Sequence, residues 1–319
     1  MGSTVPVNMD VDEIIHQLNQ RYRSEFDRAE ALKAELNDIQ HSRWWPWFLR
    51  MRRLSSWVRG VTPASVSQAP TSIPVTSFIP QAQQAWSAND VSIIIPFRDQ
   101  WELLDRCISS LQRTASRAEL ILVDNGSTEN KTKNLMHRCQ VNYKAQVVHQ
   151  DEPFNFSRLC NAGAAVAHRP LLLFLNNDVM ATQPAWLDAL LEVAADDRVG
   201  ITGATLLYPD RTIQHAGLEP TGPGESWIHP YRYEGESHPG KDGELRRIRT
   251  VPAVTGACLL IRRKLFEKLH GFDPQYAVTM NDVDLCQRVK ALGKEVVITP
   301  FARLVHFESL SRGYQREAA

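Results

Sequence analysis

Apolar residues fall into two patterns along this chain, and the change between them near residue 90 organises it. From there onward, short apolar runs alternate with amphipathic stretches. That order predicts strands alternating with helices around a mostly parallel α/β sheet. Runs at 91–95, 119–123, 145–149, 171–175, 201–208, 254–261 and 295–298 predict the strands. Stretches at 102–114, 130–139, 157–167, 185–194, 264–269 and 282–292 predict the helices. Pro96 is expected to end the first strand, because it lacks a donor. The small residues of 157–167 allow that helix to pack close to the sheet. Residues 217–243, rich in Gly, Pro, His and Glu, predict a long loop of the kind that carries function.

One run is central. Leu171-Leu172-Leu173-Phe174-Leu175 passes straight into Asn176-Asn177-Asp178. A continuous apolar run fits a strand buried on both faces. The polar triplet then lies at its carboxyl end, where open α/β sheets bind ligands. A carboxylate there can hold a divalent cation against a phosphate. The competing reading is a turn made by Asn176 and Asn177, with Asp178 capping the next helix. Two further strand ends, Pro96-Phe97-Arg98-Asp99 and Asp124-Asn125-Gly126-Ser127, can line the same crevice. Asp124 suits hydrogen bonds from a base or ribose, and Arg158 suits a phosphate.

The chain before residue 90 reads differently. Ile14, Leu18, Tyr22, Phe26, Ala29, Leu32 and Leu36 make one stripe of a helix over 11–37, opposite a charged face. It suits docking on the main domain or a short coiled coil. Residues 43–60 hold four of the eight tryptophans and five arginines, with Trp47, Met51, Leu54 and Trp57 on one helical face. Such a segment suits a membrane interface, or packing against another protein. Residues 62–89 carry Pro63, Pro70, Pro74 and Pro80 among Ser, Thr, Gln and Ala, as an extended linker does. The expected plan is a helical region at 1–61, a linker at 62–89 and the main domain at 90–319.

Charge and cysteine content narrow the classes. The 36 basic and 36 acidic residues cancel, so no global field points to nucleic acid. Five scattered cysteines without C-x-x-C fit a reducing cytoplasm rather than zinc or disulfides. A polar, acidic N-terminus is not a secretory signal, and no run is long enough to span a membrane. G-x-G-x-x-G, G-x-x-x-x-G-K-[ST] and G-x-S-x-G are all missing.

The motifs together carry a resemblance. They are Ile95-Pro96-Phe97-Arg98-Asp99, Val123-Asp124-Asn125-Gly126-Ser127, Pro153-Phe154-Asn155-Phe156-Ser157, Leu175-Asn176-Asn177-Asp178 and Gln214-His215-Ala216-Gly217. Val254-Thr255-Gly256-Ala257-Cys258, Gly271-Phe272-Asp273, Asn281-Asp282-Val283-Asp284 and His306-Phe307-Glu308-Ser309 continue the series as far as Arg312-Gly313. In this order and spacing, the region 91–313 resembles the inverting family 2 glycosyltransferases of GT-A type. It is most similar to the bacterial subgroup that builds O-antigen and related polysaccharides, rhamnosyltransferase-like proteins among them.

That resemblance implies a GT-A (Rossmann-like) sheet flanked by helices, here with an N-terminal helical extension. It implies metal-dependent transfer of a hexosyl or rhamnosyl group from a dTDP-, UDP- or GDP-sugar to a glycan or lipid-linked glycan acceptor. Mn²⁺ or Mg²⁺ would be held by Asp178 and His306, with Asn176 standing where the family's first aspartate is usual. A nitrogen ligand favours Mn²⁺. Asp282 matches the catalytic base, and its place at a helix N-terminus is expected to depress its pKa; a plain N-cap by Asn281 or Asp282 is the alternative. Pro96, Arg98, Asp124, Arg158, Asn177 and Arg312 match the nucleotide-sugar pocket. Gln214, His215, Thr255, Gly256 and Asn281 are candidates for the acceptor or sugar pocket, or, for the first two, a structural turn. The expected location is cytoplasmic, peripheral on the inner membrane through residues 43–60. A binding or scaffold module without activity is the rival class, raised by the single carboxylate; a nucleotidyltransferase would need a Gly-rich phosphate loop. Relatives in the subgroup continue past Ser-Arg-Gly, so one module of a longer assembly is expected.

Overall fold

The computed structural model describes residues 77–222 and 226–307. The expected helix at 11–37, the Trp/Arg-rich segment, most of the linker and Arg312 lie outside the described residues.

Strands β1 (Val91–Phe97), β2 (Glu119–Asp124), β3 (Gln146–His149) and β4 (Leu171–Leu175) pair in parallel, with β1 between β4 and β2. Helices α1 (Trp101–Thr114), α2 (Asn130–Tyr143) and α3 (Phe156–Ala165) connect them. Next come β5 (Val179–Ala181), α4 (Trp186–Ala194), β6 (Val199–Leu207), β7 (Ile213–His215), β8 (Glu219–Pro220) and β9 (Trp227–Ile228). The last group is β10 (Arg249–Thr250), β11 (Cys258–Arg262), α5 (Arg263–Lys268), α6 (Asn281–Ala291) and β12 (Glu295–His306). The main sheet runs β10-β12-β6-β11-β4-β1-β2-β3, with β5 added to β12 and β7 to β6. β11 is antiparallel to both β4 and β6, and β12 is parallel to β6. Hence β1 to β4, β6 and β12 all point one way, and their carboxyl ends share one edge.

The apolar runs are explained by burial on both faces. In β4, Leu171, Leu173 and Leu175 enter the core formed with α1, α2 and α4, including Ile108, Leu135 and Trp186. Leu172 and Phe174 enter the opposite core with Leu159 of α3, Phe266 of α5 and Val289 of α6. The two-residue period of a strand divides the run between two layers. Phe174, Phe266 and Phe272 close the second layer, with ring centroids 4.9 to 5.5 Å apart.

Helix α3 lies close to the sheet, as its small residues predict. Its N-cap Asn155 accepts from Arg158 N at 3.0 Å. A Cβ added at Gly163 would sit 2.4 Å from Ile94 Cγ2 and 2.9 Å from Val123 Cγ2. Gly163→Ala is therefore expected to destabilise the domain by about 1–3 kcal/mol through overpacking, although alanine is the better helix former by about 1 kcal/mol. Urea unfolding of this variant checks it; unchanged or raised stability would contradict the close approach.

Several sequence expectations need correcting. β1 does not stop at Pro96 but continues to Phe97, pairing Pro96 with Val123 of β2. Its pairing with β4 ends at Ile94, so the missing proline donor falls where that side of β1 has no partner. β12 is far longer than 295–298, because a register shift between Thr299 and Arg303 lets the strand resume beyond Pro300. The stretch 217–243 holds the β8–β9 pair and the start of a 3₁₀ turn at Lys241–Arg246. Residues 77–89, expected within the linker, run along the domain. Phe78 N donates to Ile248 O, Gln83 N to Ala195 O and Gln81 N to Asp196. Hydrogen bonds from Arg198 hold the Asp196 carboxyl down at about 2.

Candidate active site

Three groups of polar residues collect at the common carboxyl edge. The first joins the ends of β1 and β2. Asn125 N donates to Phe97 O at 2.9 Å, and Asp99 N to Ser127 Oγ at 2.8 Å. Asp99 Oδ1 accepts from Thr128 N and Glu129 N, with Asp99 and Gln100 both in the left-handed region. Pro96 and Asp124 are buried and Arg98 is exposed. Asp124 Oδ1 accepts from Ser127 N at 2.9 Å, while Oδ2 lies 3.1 Å from His149 Nδ1 on an exposed ring. His149, the last residue of β3, was not singled out from the sequence. Arg158 sits on the surface, paired with Glu152 at 2.9 Å.

The second group surrounds Asp178. β4 pairs with β1 as far as Phe174 and Ile94, and Asn177 follows in the turn beyond Leu175. Beyond Asn177 the chain turns into β5, which pairs with β12 in the register Val179 to His306. This pairing brings together two residues 128 positions apart: Asp178 Oδ1 lies 3.0 Å from His306 Nε2, and both side chains are buried. On the other side of the imidazole, His306 Nδ1 lies 2.7 Å from Gln214 Oε1 of β7. Asn176 Nδ2 lies 3.4 Å from His306 Nε2.

The third group is built on residues 254–257. Asn176 N donates to Ala257 O at 3.0 Å, which joins this segment to the end of β4. Gly256 N donates to Asp282 Oδ2 at 2.9 Å, and Val283 N to Asp282 Oδ1 at 2.8 Å. The helix N-cap is Met280, with no side-chain cap bond, so neither Asn281 nor Asp282 is the N-cap residue. Asn281 is buried and directs Nδ2 to Tyr276 O at 3.4 Å. Thr255 N donates to His215 Nε2 at 3.3 Å. The depressed pKa expected for Asp282 is not found. Burial pushes its carboxyl up, against the lowering pull of the N–H groups of Gly256 and Val283 and of the Thr255 hydroxyl. The helix terminus contributes, but desolvation wins.

His215 is fully buried, its Nδ1 3.0 Å from His229 Nδ1. Burial, then His229, Arg249 and His306, push its pKa well below the usual value. Sequence reading placed Gln214 and His215 in a pocket or a turn. It missed their contacts with His306 and with Thr255. The available signal was two polar residues inside a short strand beside Ile213.

The donor set around Asp178 can be tested against a cation. A carboxamide oxygen only accepts, so Gln214 keeps a proton on His306 Nδ1 and leaves Nε2 for another partner. An anionic oxygen and an imidazole nitrogen 3.0 Å apart match one edge of an octahedron with bonds of about 2.1 Å. Among the described residues, no group of three or more His, Cys, Asp or Glu side chains is placed to hold a metal ion. The 3.0 Å contact is that of an ion pair; the same two side chains could hold a cation if oxygens of a bound diphosphate or water filled the remaining positions.

In a mostly parallel α/β sheet, this carboxyl edge is where ligands bind. Residues 92–270 match the model of glycosyl transferase family 2, and the chain belongs to that family. Among curated relatives, it is 39% identical over 225 residues to the O-antigen biosynthesis protein RfbC of Myxococcus xanthus, covering 70% of this chain but 18% of RfbC. It is 27% identical over 236 residues to the N-acetylglucosaminyl-diphospho-decaprenol L-rhamnosyltransferase of Mycobacterium tuberculosis, covering 66% of this chain and 73% of that enzyme. Among solved structures, GalNAc-T7 with UDP, GalNAc and Mn²⁺ matches with a TM-score of 0.56 at 19% identity, over 68% of this chain and 42% of that one. This last likeness supports the GT-A fold.

Proposed function

We propose that this domain transfers a sugar, with inversion, from a nucleoside-diphosphate sugar to a glycan or lipid-linked glycan acceptor in surface-polysaccharide assembly. The observation that carries the reading is the pair Asp178 Oδ1 and His306 Nε2, 3.0 Å apart at the carboxyl edge of the sheet. Support comes from the Mn²⁺ and UDP named for GalNAc-T7, from the O-antigen role named for RfbC and from the lipid-linked acceptor named for the rhamnosyltransferase. A bound Mn²⁺ or Mg²⁺ supplies Lewis-acid stabilisation of the departing diphosphate.

The chain's own residues do the rest. Asp124 and Pro96 receive the nucleoside, with Arg98 beside them, and Asn177 faces the donor. Arg158, at present bound to Glu152, binds the phosphates, a role that the family resemblance extends to Arg312. Asp282 takes the proton of an acceptor hydroxyl as that oxygen attacks the anomeric carbon. The bond to the diphosphate oxygen breaks on the opposite face, leaving an inverted glycoside and a nucleoside diphosphate. Thr255 and Gly256 hydrogen-bond Asp282, and with Asn281 they border the acceptor.

The domain plan, with a helical region at 1–61 and a linker from 62, is part of the proposal. So is a cytoplasmic location with peripheral membrane contact through residues 43–60. Among the described residues, no helix is long and apolar enough to cross a membrane. Flotation with anionic vesicles tests the contact, and failure of the full chain to float would contradict it.

A panel of dTDP-, UDP- and GDP-sugars tests the donor class by thermal shift. One of them should raise the melting temperature with Mn²⁺ present, by mass action on the folded state. No shift with any member would contradict the reading. With the donor found, proton NMR of the first-formed product reads the anomeric configuration; retention would refute the single displacement. Donor binding with neither transfer nor hydrolysis would favour the rival reading, a binding module, which the lone carboxylate beside Asn176 makes worth testing.

A further inference from the structure

The strand β7 offers two polar side chains to the site, Gln214 and His215, expected from the sequence either to shape a sugar or acceptor pocket or to make a structural turn. The geometry points to a different task for one of them: we propose that Gln214 is a positioning residue, which fixes the His306 imidazole with Nε2 turned to the cation. This rests on the cation reading above.

β7 pairs Ile213 with Leu207 and His215 with Leu206, so Gln214 is the extra residue of a β-bulge, a device that re-aims a side chain. His215 turns to Thr255, and Gln214 turns to His306. Gln214 is only 4% exposed, so its carboxamide is a poor candidate for touching a sugar that enters from solvent. Its oxygen lies 2.7 Å from His306 Nδ1. That oxygen has no proton to give, so Nδ1 must donate, whether the ring is neutral or protonated. The only imidazole position at which a cation can replace a proton or a lone-pair partner is therefore Nε2, the atom facing Asp178. Nε2 faces the Asn176 amide nitrogen at 3.4 Å and, more closely, the acceptor Asp178 Oδ1 at 3.0 Å, where a cation would take the place of a shared proton. A glutamine is suited to this because it accepts without adding charge beside a carboxylate. Partners of this kind orient ligand histidines and hold one tautomer.

The test uses the whole chain, with Gln214→Leu and Gln214→Glu. Leucine removes the acceptor and keeps the volume; glutamate restores an acceptor. Two readouts are needed. Long-range proton–nitrogen NMR on the metal-free protein at pH 8.5 reads which His306 nitrogen carries the proton, with His306→Ala giving the assignment. Titration with Mn²⁺ alone, followed by the electron-spin signal of the free ion, reads affinity. The wild type should show Nδ1–H. Gln214→Leu should move population to Nε2–H and weaken Mn²⁺ by about 10–100-fold, the range for such partners. Gln214→Glu should recover both. Thermal melts exclude unfolding as the cause.

Nε2–H without Nδ1–H in the wild type would overturn the proposal, and so would a leucine variant with wild-type tautomer and affinity. If the wild type binds no Mn²⁺ yet loses Nδ1–H in Gln214→Leu, the orienting role stands and the cation reading falls.

Discussion

Asp282→Asn should lower the rate of sugar transfer by about 10³-fold, within the range that one positioned base contributes. Donor affinity should change little, because Asp282 is held by Gly256 N and Val283 N and not by the Asp178 group. The asparagine offers one acceptor where the carboxylate offers two, so one of these N–H groups loses its partner. A thermal melt and a donor-binding curve must therefore accompany the rate. A variant with near-normal turnover would remove Asp282 from the reaction. The wild-type pH profile gives a second check. Burial raises the Asp282 pKa, and the base works only when ionised. Activity should thus be full at high pH and fall as pH drops through a pKa above that of an ordinary aspartate, about 3.9. A stronger base in its ionised form is also the better proton acceptor near neutrality.

Loss of either cation ligand should have the other large effect. Asp178→Asn keeps the shape of the side chain and removes its charge; His306→Ala removes the nitrogen. Each should weaken Mn²⁺ by at least about 100-fold, the upper range for altered outer partners, and should lower transfer at least as far. Nucleoside binding without the cation should survive in both variants, because Pro96 and Asp124 stand on separate strands, β1 and β2. Rate and calorimetry together separate this outcome from misfolding. Restoration of rate in either variant by ordinary Mn²⁺ concentrations would count against these two ligands.

The sequence carried the core of this arrangement. The run 171–175 is legible as a two-faced strand because all five residues are apolar, and the structure divides them between two layers. Asp178 is legible because a polar triplet ends that run. His306 was named through the motif it begins, yet its approach to Asp178 depends on β5, a three-residue strand too short to show a period. Proline misled at Pro96, which lies where β1 has lost its β4 neighbour, and the strand expected at 295–298 is short because β12 resumes only beyond a register shift; both facts are tertiary. The helix-terminus argument for Asp282 was sound locally and failed because burial, a property of the packed molecule, outweighs it. Gln214 shows the same limit. It is 92 residues from His306, and only the folding of β7 onto β6 brings it there.

The central claim is that Asp178 and His306 form a cation site that serves a nucleoside diphosphate. Calorimetric titration with UDP, GDP and dTDP, each with and without Mn²⁺, tests it most directly on the wild type and Asp178→Asn. The account predicts that at least one nucleotide binds the wild type at least about tenfold more tightly with Mn²⁺, and that Asp178→Asn abolishes this gain while keeping the cation-independent part. Equal affinity with and without Mn²⁺ for all three, or an undiminished gain in Asp178→Asn, would contradict it.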